Sequence, residues 1–335
     1  MNLHRDLSIL LLAAFVMAAG AADAIDPAAK PIRMAAPYPT KPIRMIVPSG
    51  VGSSPDITAR ILAREMAETL KQPIVVENIP GASGNIGMEK GARAAPDGYT
   101  VVIGTVGPLY MNYAFFSDTG YDIERDFEPV TEISRSANVL VVNPALPIHS
   151  VAELVAYGRA NPGKLRFGSV GKGSSLHVCA EVFVKESGID ALHIPYKSAA
   201  QMAIDLISGQ FEFAFSNAAP VLPHIRAGRL RALAVTTRDS FRFTPELPTM
   251  IESGFQDLVF DGGMGLLVPK GTPRIVADRI AAAAIGALRS PSVRGQFAAQ
   301  GVVAVGSDTA DFRQHLQAER ARWAPLVGRI AADPN

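Results

Sequence analysis

The 335 residues contain one cysteine, one tryptophan and six histidines, a small stock for metal or redox chemistry. With Cys179 alone, no internal disulfide and no Cys-x-x-Cys site can form. On an apolar helix face beside Leu176, Val178, Val182 and Val184, it reads as a small buried hydrophobe. His4, His149, His177, His193, His224 and His315 fall in no His-x-His or His-Glu-x-x-His spacing, so no zinc or iron motif exists and no cofactor is expected. Charge is also scarce. Charged residues are 19% of the chain and the formal net charge is +1, which argues against nucleic acid as a partner. Beyond residue 22 no apolar run reaches the length of about 20 residues that a membrane-spanning helix needs.

Nucleotide and hydrolase motifs fail at specific positions. Gly50-x-Gly52 and Gly171-x-Gly173 lack the third glycine of a dinucleotide fingerprint, with Pro55 and Leu176 in its place, and neither ends in Gly-Lys-Ser/Thr. Gly81-Ala82-Ser83-Gly84-Asn85 misses the last glycine of a nucleophile elbow.

Apolar residues are plentiful, at 48%, enough for two cores, and the length favours two domains. The N-terminus reads as a signal peptide over 1–24. Arg5 precedes an apolar stretch over 7–22, and Ala22-Asp23-Ala24 supplies the small-x-small cleavage pattern. The mature protein is therefore expected outside the cytoplasm. Residues 25–38, with Pro27, Pro31 and Pro37, read as a leader without structure of its own.

One pattern organises the rest. The apolar stretch Met45-Ile46-Val47-Pro48 runs into Ser49-Gly50-Val51-Gly52-Ser53-Ser54, and a helix begins at Pro55-Asp56. Ser54 reads as its cap, with proline and an acid in the first turn. The same order returns where Phe167-Gly168-Ser169-Val170 leads into Gly171-Lys172-Gly173-Ser174-Ser175-Leu176-His177. Glycines admit close backbone approach, and a helix start offers unpaired N–H groups and partial positive charge, which suits a carboxylate or phosphate. The two loops read as one anion-binding device per lobe. Lys172 is a direct anion partner or a solvated lysine. The uncharged polar residues Ser49, Ser53, Asn85, Thr105, Ser174, Ser175, His177, Tyr196 and Asn217 stand at strand ends or helix starts. Each also suits turn capping, and their recurrence in both lobes favours ligand contact for the set.

Strand and helix patterns alternate throughout, predicting an α/β chain with two mainly parallel sheets flanked by helices. Ligands of such sheets bind beyond the carboxyl ends of the strands, where both loops fall. The expected domains are lobe I over 38–135 plus 260–335 and lobe II over 136–259, with a two-segment hinge near 130–139 and 258–264. A short helix is expected after Leu247-Pro248-Thr249, and Trp323 on the last helix is expected to pack rather than touch ligand.

Several motifs resemble those of the Bug proteins, the extracytoplasmic solute receptors of tripartite tricarboxylate transporters. They include Pro39-Thr40-Lys41-Pro42-Ile43-Arg44, Val76-Glu77-Asn78-x-Pro80-Gly81-Ala82-x-Gly84-Asn85-Ile86-Gly87 and Ala95-Pro96-Asp97-Gly98-Tyr99-Thr100. Later ones are Pro162-Gly163-Lys164-Leu165, His193-Ile194-Pro195-Tyr196-Lys197 and the stretch from Leu222-Pro223-His224-Ile225 to Val235-Thr236. The resemblance implies a periplasmic binding protein of type II-like fold that closes on a small organic acid and passes it to a tripartite tricarboxylate-type permease. It also implies that backbone groups and waters hold the carboxylate. Carried over by position, the ligand contacts are Ser49, Gly50, Val51, Gly52, Ser53, Ser54, Asn85, Thr105, Gly171, Lys172, Gly173, Ser174, Ser175, His177, Tyr196 and Asn217. Where many relatives carry Gly-Gly-Gly-Thr-Asp, this chain has Gly52-Ser53-Ser54-Pro55-Asp56, a stiffer and narrower first loop.

A monomeric, non-enzymatic receptor is the expectation. Two alternatives differ in class: a ligand sensor for a membrane signalling partner, and a periplasmic serine hydrolase using Ser174 or Ser175 with His177.

Overall fold

The computed structural model describes residues 38–260 and 262–332. The expected cleavage after Ala24 and the leader up to residue 37 lie outside the described residues.

The first strand and its helix form as their local chemistry dictates. β1 (Ile43–Val47) is apolar and almost wholly buried. α1 (Ser54–Leu70) starts at an N-cap one residue earlier than expected, on Ser53, and ends where Lys71 turns left-handed at φ 56°. Its buried face carries Ala59, Leu62, Ala63, Met66 and Leu70 at helical spacing. β2 (Ile74–Asn78), α2 (Asn85–Ala92) and β3 (Thr100–Gly104) follow. The stretch after β3 holds a π-helical turn (Gly107–Met111), α3 (Asn112–Phe115) and α4 (Ile123–Asp126) before β4 (Phe127–Arg135).

The chain then builds β5 (Asn138–Val142), α5 (Val151–Ala160), β6 (Leu165–Ser169), α6 (Ser175–Ser187), β7 (Ala191–Pro195), α7 (Ala199–Ile207), β8 (Phe213–Asn217), α8 (Ala218–Arg226) and β9 (Arg231–Val235). It returns through β10 (Gly263–Pro269), α9 (Arg274–Arg289), α10 (Pro291–Ala299), β11 (Val303–Ala304) and α11 (Thr309–Ala331). The segment after Thr249 forms turns rather than the expected helix; Thr249 and Glu252 bond one another's backbone amides, and Gly254 lies at φ 96°.

Two helix-flanked sheets result, with strand orders β11-β4-β10-β3-β1-β2 and β7-β6-β8-β5-β9. This is the two-lobed α/β architecture expected. The sheets are mixed rather than mainly parallel. β1 pairs parallel with β2 and β3, and β6 with β7 and β8. β10 runs antiparallel to β3 and β4, and β5 runs antiparallel to β8 and β9. The reason is connectivity: β4 leads directly into β5, and β9 returns to β10, so these strands join their sheets without a helical crossover.

The two crossings are stitched together. Ser136 N donates to Gly262 O at 3.0 Å, Asn138 N to Thr236 Oγ1 at 3.0 Å, and Phe260 N to Thr236 O at 2.6 Å. Trp323 is 1% exposed, edge-on to Phe260 at 5.7 Å, with its N–H on Glu319 at 3.1 Å, and so packs as expected. Cys179 is fully buried, and burial pushes its thiol up to about 12, which makes it chemically inert.

Candidate functional site

The first Gly/Ser loop joins β1 to α1 and is held by its own side chains. Ser49 Oγ and Ser53 Oγ lie 2.8 Å apart, Asn78 Nδ2 donates to Ser49 O at 3.0 Å, and Ser53 N donates to Gly50 O at 3.2 Å. The Gly52 amide is already satisfied, donating to Asp56 at 2.8 Å. Burial works against the Asp56 carboxylate, but Arg60 at 2.9 Å, the Gly52 amide and Asn78 outweigh it and hold its pKa below the usual range. The loop thus carries a built-in anion. Ser54 stands at the first helical position, and Pro55 has no N–H, so the Ser54 amide is the helix-start donor this loop offers a ligand. Val51, 76% exposed, projects into solvent.

The second loop joins β6 to α6 and has a denser scaffold. Ser174 caps the helix through His177 N at 3.3 Å and donates from Oγ to Gly171 O at 2.7 Å. Gly171 N donates to Ser169 Oγ at 3.1 Å, and Ser169 Oγ lies 2.6 Å from His193 Nε2. Gly173 N donates to His177 Nδ1 at 3.4 Å, and His177 Nε2 lies 3.4 Å from Glu181. Both loop glycines therefore spend their amides on shape. The amides of Ser175 and Leu176, in the first turn of α6, have no intrahelical partner.

The two histidines form the floor of this loop. Their rings are 4.6 Å apart, and His193 stacks on Phe167 at 5.0 Å. Burial, then His193 and Lys172, lower the His177 pKa to about 3; burial, then Lys172, lower that of His193 to about 4. Both are neutral at pH 7, so His177 Nδ1 serves Gly173 as an acceptor. Ser174 Oγ is committed to Gly171 O and His177 Nδ1 to the Gly173 amide, so these two side-chain groups are not hydrogen-bonded to one another.

The loop meets the first sheet's elements along a seam. Ser83 Oγ donates to Lys172 O at 2.6 Å. Ser83 reaches that position from a left-handed backbone (φ 52°), and its neighbour Ala82 is left-handed too (φ 44°), strain of the kind that collects at functional sites. Phe115 meets the His177 ring edge-on at 5.7 Å. Asn112, 1% exposed, donates from Nδ2 to Ser83 O at 3.2 Å and to Asn85 Oδ1 at 2.6 Å. Tyr121 OH lies 3.1 Å from Asn85 Oδ1 and 2.9 Å from Pro108 O. Asn85 Nδ2 remains a buried donor without a partner.

Of the residues expected from sequence, those of the second loop and Asn85 converge on this seam. Thr105 directly follows β3 and its carbonyl accepts the Leu109 amide at 2.9 Å. The Lys172 side chain is exposed while its carbonyl carries the seam bond. Two expected side chains are engaged within the second sheet instead. Tyr196 lies beside Phe211 at 5.5 Å, with burial and the nearby Asp205 raising its phenol pKa, and Asn217 Nδ2 donates to Asn138 Oδ1 at 3.0 Å. Ser83, Asn112, Phe115, Ser169 and His193 were not among the expected site residues. His193 at least stood in a quoted motif, and Asn112 is an amide set directly after an apolar run.

The sequence pattern of the tripartite tricarboxylate transporter family receptors matches residues 58–331. Protein BugT of Bordetella pertussis is 34% identical over 333 residues, 99% of each chain. Two solved structures from Rhodopseudomonas palustris are also similar. The protein Rpa4515 with adipate has 33% identity and a TM-score of 0.83, covering 88% of this chain and 98% of that one. MatC with bound malate has 26% identity and a TM-score of 0.81, covering 87% and 100%.

Proposed function

The chain belongs to the tripartite tricarboxylate transporter receptor family, and from that premise we propose that it captures a small organic acid in the periplasm and delivers it to a tripartite tricarboxylate-type permease. It acts as a monomer without enzymatic turnover. The observation that carries this reading is the seam: a helix-start loop from the second sheet, rich in backbone donors, docks on strained and buried polar residues of the first sheet. The dicarboxylates adipate and malate in the two similar structures support the ligand class. Among the described residues no helix is long and apolar enough to cross a membrane, in keeping with a receptor that hands its cargo to a separate membrane protein.

The mechanism follows from where the donors sit. A carboxylate takes the Ser175 and Leu176 amides and the serine hydroxyls, directly or through water. The first loop, already holding Asp56, contributes Ser54 and hydroxyls rather than a second strong anion hole. Lobe I is 38–135 plus 260–335 and lobe II is 136–259; they hinge on the paired crossings around Ser136 and Thr236. Ligand contacts are complete only when the seam is formed, so the ligand shifts the population to the closed state.

A thermal-shift screen of the chain from Ile25 onward, unfolded and refolded to strip carried ligand, tests the reading. At ~100 times its dissociation constant a ligand stabilises by about 2.7 kcal/mol. At about 2 °C per kcal/mol that raises Tm by roughly 5 °C. At least one small dicarboxylate gives this shift; silence across dicarboxylates, tricarboxylates and acidic amino acids would refute the ligand class.

A further inference from the structure

Every donor described so far suits a carboxylate oxygen, but one buried group at the seam has the opposite polarity. Asn112 spends both Nδ2 hydrogens on Ser83 O and Asn85 Oδ1, which fixes its amide orientation and leaves Oδ1 a buried acceptor with no partner. That oxygen faces two glycines, one from each side of the seam. A Cβ built on Gly107 would lie 3.0 Å from Asn112 Oδ1 and 3.2 Å from Gly173 O, and one built on Gly173 would lie 3.1 Å from Asn112 Oδ1. Two acceptors, the Asn112 side chain and the Gly173 carbonyl, thus converge where neither neighbour has a side chain. The backbone that delivers Asn112 is the π-helical turn Gly107–Met111, a geometry that recurs at functional sites.

A buried acceptor left unmade is costly, and a carboxylate oxygen beside it would only repel it. The group that satisfies it is an O–H or N–H. Resting on the carboxylate reading above, we propose that Asn112 is a specificity-determining residue that selects carboxylates bearing a hydroxyl or amino hydrogen donor over their unsubstituted counterparts. The carboxylate takes the helix-start amides, and the substituent donates to Asn112 Oδ1; an ammonium has a further hydrogen for Gly173 O. A site built around a hydrogen bond rejects an analogue lacking the partner because its own polar group is then left unpaired.

The test is isothermal titration of the refolded chain with matched probes: succinate against malate and aspartate, and glutarate against 2-hydroxyglutarate and glutamate. Wild type binds a donor-bearing member of a set about tenfold or more tightly than the plain acid. The malate and aspartate arms separate a hydroxyl from an ammonium donor. In Asn112→Leu, similar in shape but without the acceptor, the preference collapses to about threefold or less; Asn112→Ser, smaller and polar, gives the same collapse if the leucine variant does not fold. A purely structural role for Asn112 would weaken all members together and keep the ratio. A retained ratio in the variants, or no preference in wild type, overturns the proposal alone. If no probe binds, this proposal fails; the carboxylate reading fails with it only if the wider thermal-shift screen is silent as well.

Discussion

Gly173→Val binds the cleft ligand about 10- to 100-fold more weakly than wild type, taking an overpacking cost of about 1–3 kcal/mol at 1.4 kcal/mol per tenfold. Two effects combine. Gly173 sits at φ 81°, where any Cβ is strained, and its Cβ would lie 3.1 Å from Asn112 Oδ1 and 3.3 Å from the Phe115 ring. Asn112 and Phe115 belong to the first sheet's side of the seam, so their part of the cost arises only when the lobes meet. Gly188 provides the control. It is left-handed as well, at φ 65°, closes α6, and has nothing within 4 Å of its would-be Cβ. Gly188→Ala therefore lowers Tm by a few degrees, for a backbone cost of about 1 kcal/mol, and leaves affinity unchanged. Titration and thermal melts on the same preparations separate the two variants. Equal affinity losses would show that Gly173 acts through folding alone.

Acidification from pH 6.5 to 4.5 destabilises the protein, and His177→Asn removes part of that loss. A histidine whose folded pKa lies below its unfolded value binds fewer protons when folded. Its stabilising effect is complete above pH 6.5 and is lost as pH falls towards the folded values, about 3 for His177 and about 4 for His193. Within that window each neutral histidine costs about 1.4 kcal/mol per pH unit. The charged and titratable groups around the pair are Lys172 and Glu181; Lys172 reinforces the depression. His224 is also lowered, by burial and then Arg229, and adds in the same sense in both proteins. Carboxylates such as Asp56 and Glu128, whose pKa values are lowered, keep their contribution above the ordinary carboxylate range and lose it below, so they dominate a later, more acidic phase. Asparagine at 177 reproduces the Nδ1 acceptor for Gly173 without titrating. Chemical denaturation at several pH values should show a shallower acid slope for the variant; an unchanged slope would remove the histidine from the account.

Much of the fold was legible because it is written in local chemistry. β1 with α1, and β6 with α6, announce themselves through apolar strands, serine caps and left-handed glycines, and both Gly/Ser loops lie at strand ends as the pattern implied. β4 was harder to see. Its nine residues include Pro129 and the buried Glu132, which is paired with Arg135 at 2.7 Å, so polarity hides a central strand. The first side of the seam was almost invisible. The π-helical turn has no side-chain cap, and its residues are all buried, leaving no alternation of polar and apolar positions to read. Tyr196 and Asn217 stand at strand ends, and their side chains also meet the second sheet's own elements, Tyr196 at Phe211 and Asn217 at Asn138. Strand-end position narrows a list of candidates; orientation then decides among them.

The central claim is that a carboxylate closes the two lobes on the seam, and a distance measurement tests it most directly. Val75 on β2 and Leu192 on β7 are 55% and 66% exposed, one on each sheet, and the buried Cys179 does not compete for labels. Spin labels on Val75→Cys and Leu192→Cys report the inter-lobe distance by pulsed double-resonance spectroscopy in ligand-stripped protein and in protein saturated with the acid that raises Tm. Closure predicts a broader, longer distribution without ligand and a narrower, shorter one with it. A distribution unchanged by a ligand that stabilises the fold would contradict the account.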